Sequence, residues 1–511
     1  MSRFDELHAD YQARKAKALA MGNPRRLAER KAKGILNARE RIERLIDPGS
    51  FLESGLFAVA HRADIRDRTP ADGKVAGFGR IDGRPIALVS NDFTVMGAGS
   101  SRVNSKKMRH IKETAKSRGL PIVFFGESTG ARMPDVMGAA NIGSGDDPTQ
   151  YMRKRESPWA SAVLGDCYGS SAWYAALSDF VVIRKGAVMA VSSAKLSNMA
   201  TSENIEPEEL GGWRVHTEVS GMIDLAVDTD EEAIDAVKRF LGYLPGHNME
   251  LPPVRPVPAG SDRAIDDILK HFPESRTRAY DVRKIIRCIV DAESMFEMKP
   301  RFGRAVVTCL ARLNGASIGI VANNPMHKGG AIDPDACNKV TSFLVLCDSF
   351  NIPIVFLVDQ PGFLIGIEGE RRGAIGKVMN WMNAISLVTM PKISVVMGKT
   401  YGQAVLNMGG GGNAHETAAW TTAEISFMTP EYAVRIVHGV DEKSDPDRFK
   451  VLLHEMNLSS SPYEAAGNFG TFTVIDPRET RDYLIRTIEV HKPRLSGGIG
   501  EHLMRTWPTS Y

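Results

Sequence analysis

The apolar positions of this chain fall in short unbroken runs: Ile86-Ala87-Leu88-Val89, Ile122-Val123-Phe124-Phe125, Ile318-Gly319-Ile320-Val321 and Ile354 to Val358. Runs of this length, bounded by turn residues, predict strands buried on both faces, because a half-exposed strand would alternate. Asp82-Gly83 and Asn314-Gly315 are two-residue hairpin signals, since both residues of the tight turn that matches strand twist need positive φ. Between the strands the patterning is helical, so strand and helix alternate as in an α/β fold with helices covering a sheet. The stretch from Phe4 to about Leu45 is polar, helical and rich in Arg and Lys, with a break at Gly22-Asn23-Pro24. It predicts a solvated surface helix pair in preference to a phosphate-binding arm, ending at the stop signal Asp47-Pro48-Gly49-Ser50. The proline-rich run Leu251 to Pro258 predicts a semi-rigid connector. The boundaries drawn are a helical segment over 1–50, a domain over 51–250, a connector over 251–262 and a second domain over 263–511.

The two halves repeat one pattern. Arg80-Ile81-Asp82-Gly83 and Ile86 to Val89 match Arg312-Leu313-Asn314-Gly315 and Ile318 to Val321 at an offset of 232 residues. Pro121 to Phe125 with Glu127 and Gly130 matches Pro353 to Leu357 with Asp359 and Gly362 at the same offset. Gly165-Asp166-Cys167-Tyr168-Gly169 matches Gly398-Lys399-Thr400-Tyr401-Gly402 at 233. A register held across intervening helices predicts a duplicated unit.

Composition narrows the function. A chain of 511 residues exceeds a single core of ~250–300 residues, in agreement with two units. Sixty-four Lys and Arg against 61 Asp and Glu leave a net charge of +3, no basic field for nucleic acid, so any phosphate recognition must be local. No apolar run approaches the ~20 residues of a membrane span and the first residues carry no secretory pattern, so a cytoplasmic protein is expected. Five cysteines without a CxxC pair argue against a disulfide framework or a zinc ribbon, and no metal site is expected. HExxH, GxSxG and phosphate-loop motifs are absent. His216, His327, His415 and His438 are assigned structural or surface roles, and Gly409 to Gly412 a turn.

What recurs is a strand ending in a small-residue turn that opens a helix: Tyr168-Gly169-Ser170-Ser171-Ala172 and Tyr401-Gly402-Gln403-Ala404-Val405. First-turn amides of a helix lack intrahelical acceptors and can donate to a developing oxyanion. Small residues there also permit close helix–sheet packing, and the pattern alone leaves both readings open.

The chain resembles the carboxyltransferase (β) subunits of biotin-dependent acyl-CoA carboxylases, the propionyl-, acetyl- and 3-methylcrotonyl-CoA carboxylase group. The resemblance runs from Ala38-Arg39-Glu40-Arg41-Ile42 to beyond Trp420-Thr421-Thr422-Ala423-Glu424-Ile425. It passes through Asp92-Phe93-Thr94-Val95, Ser128-Thr129-Gly130-Ala131-Arg132, Glu209-Leu210-Gly211-Gly212, Cys347 to Pro353 and Asp359-Gln360-Pro361-Gly362-Phe363-Leu364. It implies a tandem duplication of a crotonase-like (ClpP/crotonase) domain with repeated ββα units, and a homo-hexamer built as a trimer of dimers. It further implies an active site between the N-domain of one subunit and the C-domain of its dimer partner. Acyl-CoA would be held by Ser128, Gly130, Ala131 and Arg132, with Gly169, Ser170 and Ser171 as backbone donors to the thioester oxygen. Carboxybiotin, carried on a partner protein, would be held by Pro361, Gly362, Phe363, Gly366 and Gly402, with Gln403 and Ala404 donating to its ureido oxygen. Biotin supplies the base in this family, so the protein positions and stabilises two oxyanions. Arg132 is a candidate CoA-phosphate contact or a structural ion pair. The biotin carboxylase and the biotin carboxyl carrier must come from another chain.

The chain departs from the family pattern at Ser170, Ser171 and Gln403, where relatives usually carry small residues, and at Leu406, where propionyl-type members carry Asp. The stretch Asn141 to Ser157 also lacks a close counterpart. Two other functions stay open: a decarboxylase subunit that keeps the fold and runs the transfer in reverse, and a catalytically silent scaffold subunit whose substituted turns no longer bind biotin.

Overall fold

A computed structural model describes residues 2–139 and 151–508, so the first ten residues of the Asn141 to Ser157 stretch lie outside it. The chain divides between Glu250 and Leu251 into two compact units.

The first unit opens with helices α1 (Arg3–Leu19), α2 (Pro24–Ala32) and α3 (Ala38–Leu45). Their starts are set locally: Asn23 caps α2 with Pro24 at its first position, and Asn37 forms a capping box with Glu40 on α3, satisfying amides that have no partner within the helix. Of α1 only Ala18 is buried, and of α2 nothing is. Helix α3 differs, burying Ala38, Arg41, Ile42 and Leu45. The 1–50 segment is therefore not one structural piece, because α3 is part of the first unit's core. Its burial was hidden by the charged residues around a two-residue apolar stripe.

The strands of this unit are β1 (Leu52–Glu53), β2 (Lys74–Ile81), β3 (Arg84–Asn91), β4 (Ile122–Ser128), β5 (Trp159–Tyr168), β6 (Phe180–Arg184), β7 (Val188–Ala190) and β8 (Leu225–Val227). Their order in the sheet is β1-β2-β3-β4-β5-β6-β8, with β7 paired to the end of β5. β1–β2 and β2–β3 are antiparallel and the rest parallel. Helix α4 (Arg102–Arg118) crosses from β3 to β4, α5 (Ser170–Ala176) follows β5, and α6 (Asp230–Tyr243) follows β8. Met108, Ile111 and Ala115 of α4 pack on Val89, Phe124 and Trp159.

The second unit repeats this plan. Its helix α7 (Val282–Ile289) precedes β9 (Phe296–Met298), β10 (Val306–Leu313), β11 (Ala316–Asn323), β12 (Ile354–Gln360), β13 (Lys392–Tyr401), β14 (Glu416–Trp420), β15 (Glu424–Ser426) and β16 (Thr473–Ile475). They are ordered β9-β10-β11-β12-β13-β14-β16, with β15 on β13. Helix α8 (Pro334–Ser349) stands where α4 does, and α9 (Ala374–Leu387) lies between β12 and β13. Val355, Leu357, Ile393 and Val395 form the centre of its core with Ile285, Ile286 and Ile289 of α7.

The duplication extends to details. Asp82 and Gly83 have φ of 51° and 77°, and Asn314 and Gly315 of 51° and 80°, as the hairpin signals predict. The β4–β5 ladder shifts register between Gly126 and Ser128, and the β12–β13 ladder between Val358 and Gln360. Asp47 accepts hydrogen bonds from the amides of Asp82 (3.1 Å) and Gly83 (2.8 Å), while Asp291 accepts from those of Asn314 (3.0 Å) and Gly315 (2.7 Å). Ser50 and Ser294 likewise receive the amides of Arg80 and Arg312, each at 3.1 Å. The Asp47 to Ser50 stop signal is thus the anchor of a hairpin, and the repeat begins at α3, ahead of the boundary at 51, and at α7, some way inside the domain drawn from 263. The proline-rich connector lies on the second unit, where Arg255 donates to Gly315 and Pro253 accepts from Arg312.

All five cysteines are free and buried. No helix is long and apolar enough to cross a membrane, and no acidic, His or Cys cluster suited to a metal occurs, among the described residues.

Candidate active site

In open α/β sheets ligands collect beyond the carboxyl ends of the parallel strands. Here the loops leaving β3 and β4 cross each other at that edge. The amide of Ser100 donates to the Gly130 carbonyl at 2.8 Å and Ser100 accepts from Arg132 at 2.9 Å. Ile332, Gly362 and Leu364 repeat the crossing at 3.0 and 2.8 Å. Beside each crossing stands the turn that ends the next strand. Gly130 (φ 97°) faces Gly169 (φ 60°), and a Cβ on Gly169 would lie 3.5 Å from the Gly130 Cα. Gly362 (φ 125°) and Gly402 (φ 68°) occupy the matching places. A side chain at any of these four would be strained, which explains glycine there. The structure therefore brings together Ser128, Gly130, Ala131, Arg132, Gly169, Ser170 and Ser171 in the first unit, and Pro361, Gly362, Phe363, Gly402, Gln403 and Ala404 in the second. Gly366 sits at the far end of its loop, with nothing within 4 Å of a notional Cβ.

Two of these residues order the loop from beneath. Ser128 is buried, its hydroxyl donating to the Ala98 carbonyl (3.1 Å) and accepting from the Gly130 amide (3.1 Å). Arg132 is also buried, its guanidinium held by Asp72 at 2.7 Å and by both oxygens of Asp135. This is the ion-pair alternative for Arg132, whose buried cation is paired with two carboxylates.

Under each crossing lies a paired carboxylate. Glu127, 2% exposed, accepts from Arg30 Nη2 at 2.6 and 2.8 Å and from Arg41 Nη1 at 2.9 Å. Arg41 also bridges to Asp230, which Arg184 meets from the other side. Asp359, at the equivalent position, accepts from Tyr280 (2.9 Å) and from Lys399 Nζ (2.8 Å). Both carboxylates are held in place by cations or a buried phenol, and burial together with Asp359 raises the Tyr280 pKa. Sequence reasoning missed Arg30, Arg41, Asp230, Tyr280 and Lys399; the shared offset of Glu127 and Asp359 was the one signal pointing to them.

The first turn opens α5 as an α-helix, so the amides of Ser170 and Ser171 have no intrahelical acceptor. Ser171 is buried and its hydroxyl accepts from Asn91 Nδ2 (3.3 Å), which also donates to the Glu127 carbonyl (3.0 Å). Asn91 Oδ1 accepts from Lys74 Nζ at 3.0 Å, and burial of that ammonium brings its pKa down to about 8. The second turn opens a 3₁₀ helix, Gly402–Met408, whose bonds reach three residues back. Ala404's amide is then the first with an intrahelical acceptor, the carbonyl of Tyr401, and Gln403's is the open donor. Gln403 is exposed, whereas Ala404 is fully buried.

Two of the histidines are engaged by the backbone. His216 is pinned to the Met189 carbonyl at 2.6 Å and to Ser220 at 3.0 Å, with burial lowering its pKa. His415 accepts from the Lys392 amide, and burial lowers its pKa to about 4. The donors converging on the turns are amides and hydroxyls, suited to stabilising an anion, while the carboxylates beneath them are already paired.

Residues 29–496 match the carboxyl transferase domain family. The chain belongs to the carboxyltransferases of biotin-dependent acyl-CoA carboxylases. It is 33% identical to the propionyl-CoA carboxylase carboxyltransferase subunit of Haloferax mediterranei, over 96% of each chain. It is also 33% identical to the methylmalonyl-CoA decarboxylase subunit alpha of Veillonella parvula, over 93% of each. Transcarboxylase 12S, a hexamer solved with methylmalonyl-coenzyme A and methylmalonic acid bound, superposes with a TM-score of 0.88 at 33% identity, over 96% of each chain. Both sheets are thus those of the crotonase-like carboxyltransferase fold.

A cavity of about 570 Å³ adjoins the first turn's loop in this carboxyltransferase. Its lining includes Arg26, Glu29, Arg30 and Lys33 together with Phe93, Gly97 and Thr129. The basic arm is therefore more than a solvated surface pair, since α2 and the residues after it line a pocket beside the crossing.

Proposed function

We propose that this carboxyltransferase moves CO2 between carboxybiotin on a partner protein and the α- or vinylogous γ-carbon of an acyl-CoA. The first unit holds the thioester and the second the biotin. The observation that carries the reading is the repeated crossing of two loops beside a glycine turn, one copy per unit, each with an open amide donor.

At the first turn the amides of Ser170 and Ser171, with Gly169 leaving the approach clear, receive the thioester oxygen. Preorganised donors of this kind contribute several kcal/mol when charge develops on that oxygen. Arg26 and Lys33 in the adjoining cavity suit the CoA phosphates, taking the role first given to Arg132. Ser128 and Arg132 hold the loop that shapes the pocket. The second turn fits a ureido ring: Gln403 offers an open amide, Gly362 and Gly402 leave the backbone approachable, and Gln360 Oε1 is buried without a partner. Carboxybiotin, when delivered, supplies both the CO2 and the base. Around it Pro361 and Phe363 form the wall of the loop, and Gly366 its outer end. The hexamer and the biotin carboxylase and carboxyl carrier partners belong to the same proposal, supported by the hexameric transcarboxylase 12S. The similarity to a decarboxylase subunit supports a second reading in which the same site runs the transfer in reverse.

The test is an assay of the purified protein with a biotin-bearing partner, ATP, bicarbonate and a panel of acyl-CoAs. Carboxylated product is expected, with loss of CoA affinity on Arg26→Ala. No product and no acyl-CoA binding would leave a silent scaffold and sink the enzyme reading.

A further inference from the structure

Ser100 and Ser170 come from different loops and their hydroxyl oxygens lie 2.6 Å apart, beside the first turn. Ser100 is fixed through its backbone by the crossing with Gly130 and Arg132, and Ser170 is the first residue of α5. Both are half-buried at the loop surface. The duplicated unit provides an internal control. At the offsets of the repeat, the places of Ser100 and Ser170 are taken by Ile332 and Gln403. Ile332 keeps the same two backbone bonds, to Gly362 and Leu364. The crossing therefore forms without any hydroxyl pair, and the fold does not require one.

Two hydroxyls carry two protons, and their mutual hydrogen bond uses one of them. The second proton has no acceptor among the described residues, since neither oxygen takes part in another hydrogen bond. A neutral thioester oxygen has two lone pairs and is filled by two amide donors, so it has little room for a third. A carboxylate has about four acceptor positions. Arg132, the nearest cation in the loop, is committed to Asp72 and Asp135, and a carboxylate formed at this turn must find neutral donors.

We infer that the Ser100–Ser170 hydroxyl pair binds the carboxylate of the carboxylated acyl-CoA and so distinguishes it from the uncarboxylated thioester. The inference rests on the acyl-CoA assignment of the first turn. Ser170 makes the contact and Ser100 orients it.

The purified full-length protein, without biotin so that neither ligand reacts, is titrated with malonyl-CoA and acetyl-CoA, the pair least subject to exclusion by pocket size. The wild type should bind malonyl-CoA about tenfold tighter, the range of one charge-assisted hydrogen bond. Ser170→Ala should abolish that preference, read as the ratio of the two affinities in the same variant. Ser100→Ala, which keeps the backbone crossing and lies outside the donor turn, should reduce the preference partially while leaving acetyl-CoA affinity in place. Equal weakening toward both ligands would place the contact on the part they share and overturn the inference, as would an unchanged ratio. Wild type that binds both without preference fails this inference alone, whereas wild type that binds neither removes the acyl-CoA reading beneath it.

Discussion

Gly165 lies on β5 directly over the Glu127 carboxylate. A Cβ there would stand 2.2 Å from Oε1 and 2.8 Å from Cδ, so the oxygen would have to retreat by about 1 Å to reach van der Waals contact. It has nowhere to retreat, because Arg30 and Arg41 hold it at 2.6 to 2.9 Å and the side chain is buried. Displacing it breaks at least one charge-assisted bond, at about 1.5–3 kcal/mol. It also leaves part of a buried charge uncompensated, where breaking a pair costs about 3–5 kcal/mol. Gly165→Ala should therefore destabilise the first unit by about 3–5 kcal/mol. The duplication supplies a graded comparison. At Gly398 the same Cβ would meet Asp359 Oδ1 at 2.9 Å, a milder overlap for which about 1–3 kcal/mol is expected. Gly242, near the end of α6, has nothing within 4 Å of a Cβ, and Gly242→Ala should be neutral or stabilising by up to about 1 kcal/mol through helix propensity. Hydrogen exchange in graded urea, read on peptides from β4, β5, β12 and β13, follows each unit separately. If Gly165→Ala falls within about 0.5 kcal/mol of wild type, or costs less than Gly398→Ala, then the ion network does not clamp Glu127 as argued.

Lys339 is buried in α8, donating to the carbonyls of Phe302 (3.1 Å) and Val306 (2.8 Å), and burial pushes its pKa down to about 7. Between that value and 10.5 the unfolded chain binds a proton that the native state lacks, so second-unit stability should rise with pH above 7, by up to about 1.4 kcal/mol per unit. Urea unfolding at pH 7, 8 and 9 should show this slope in wild type and a flatter one in Lys339→Met; equal slopes would refute it. At the hairpin turns, Gly83→Ala should cost about 1 kcal/mol of left-handed strain. Gly315→Ala should cost more, about 2–4 kcal/mol, because its Cβ would lie 2.2 Å from the Arg255 carbonyl; equal losses in thermal or urea unfolding would mean the connector does not pack there.

The strands, the two hairpins and the duplicated register were legible because each depends on residues close in sequence: an apolar run, an Asp-Gly or Asn-Gly pair, a fixed offset. The start of the repeat was not. Asp47 and Asp291 perform the same task at an offset of 244, and a search held at 232 passes over them. The burial of Arg41 was also illegible, since a lone arginine in a charged helix signals solvent unless Glu127 and Asp230, distant in sequence, are known to surround it. Arg132, whose position beside the glycine loop suggested a ligand, is paired with neighbouring Asp135 and with Asp72, 60 residues away, which make it a support.

The sequence by itself determined the unit and its double use. The apolar runs, the turn pairs and the family's ordered blocks together specify two crotonase-like sheets with a small-residue turn at equivalent ends. Tertiary structure decided which atoms at those turns are open. It wound one turn as α and the other as 3₁₀, leaving two amides available at Ser170 and Ser171 but Gln403 as the open donor at the other. It also set Ser100 against Ser170 and lined a cavity with the basic face of α2. The physical reason is that secondary structure follows from local periodicity and torsional preference. Whether a donor is open depends on what the folded chain places opposite it, as Ser100 stands against Ser170 across 70 residues of sequence.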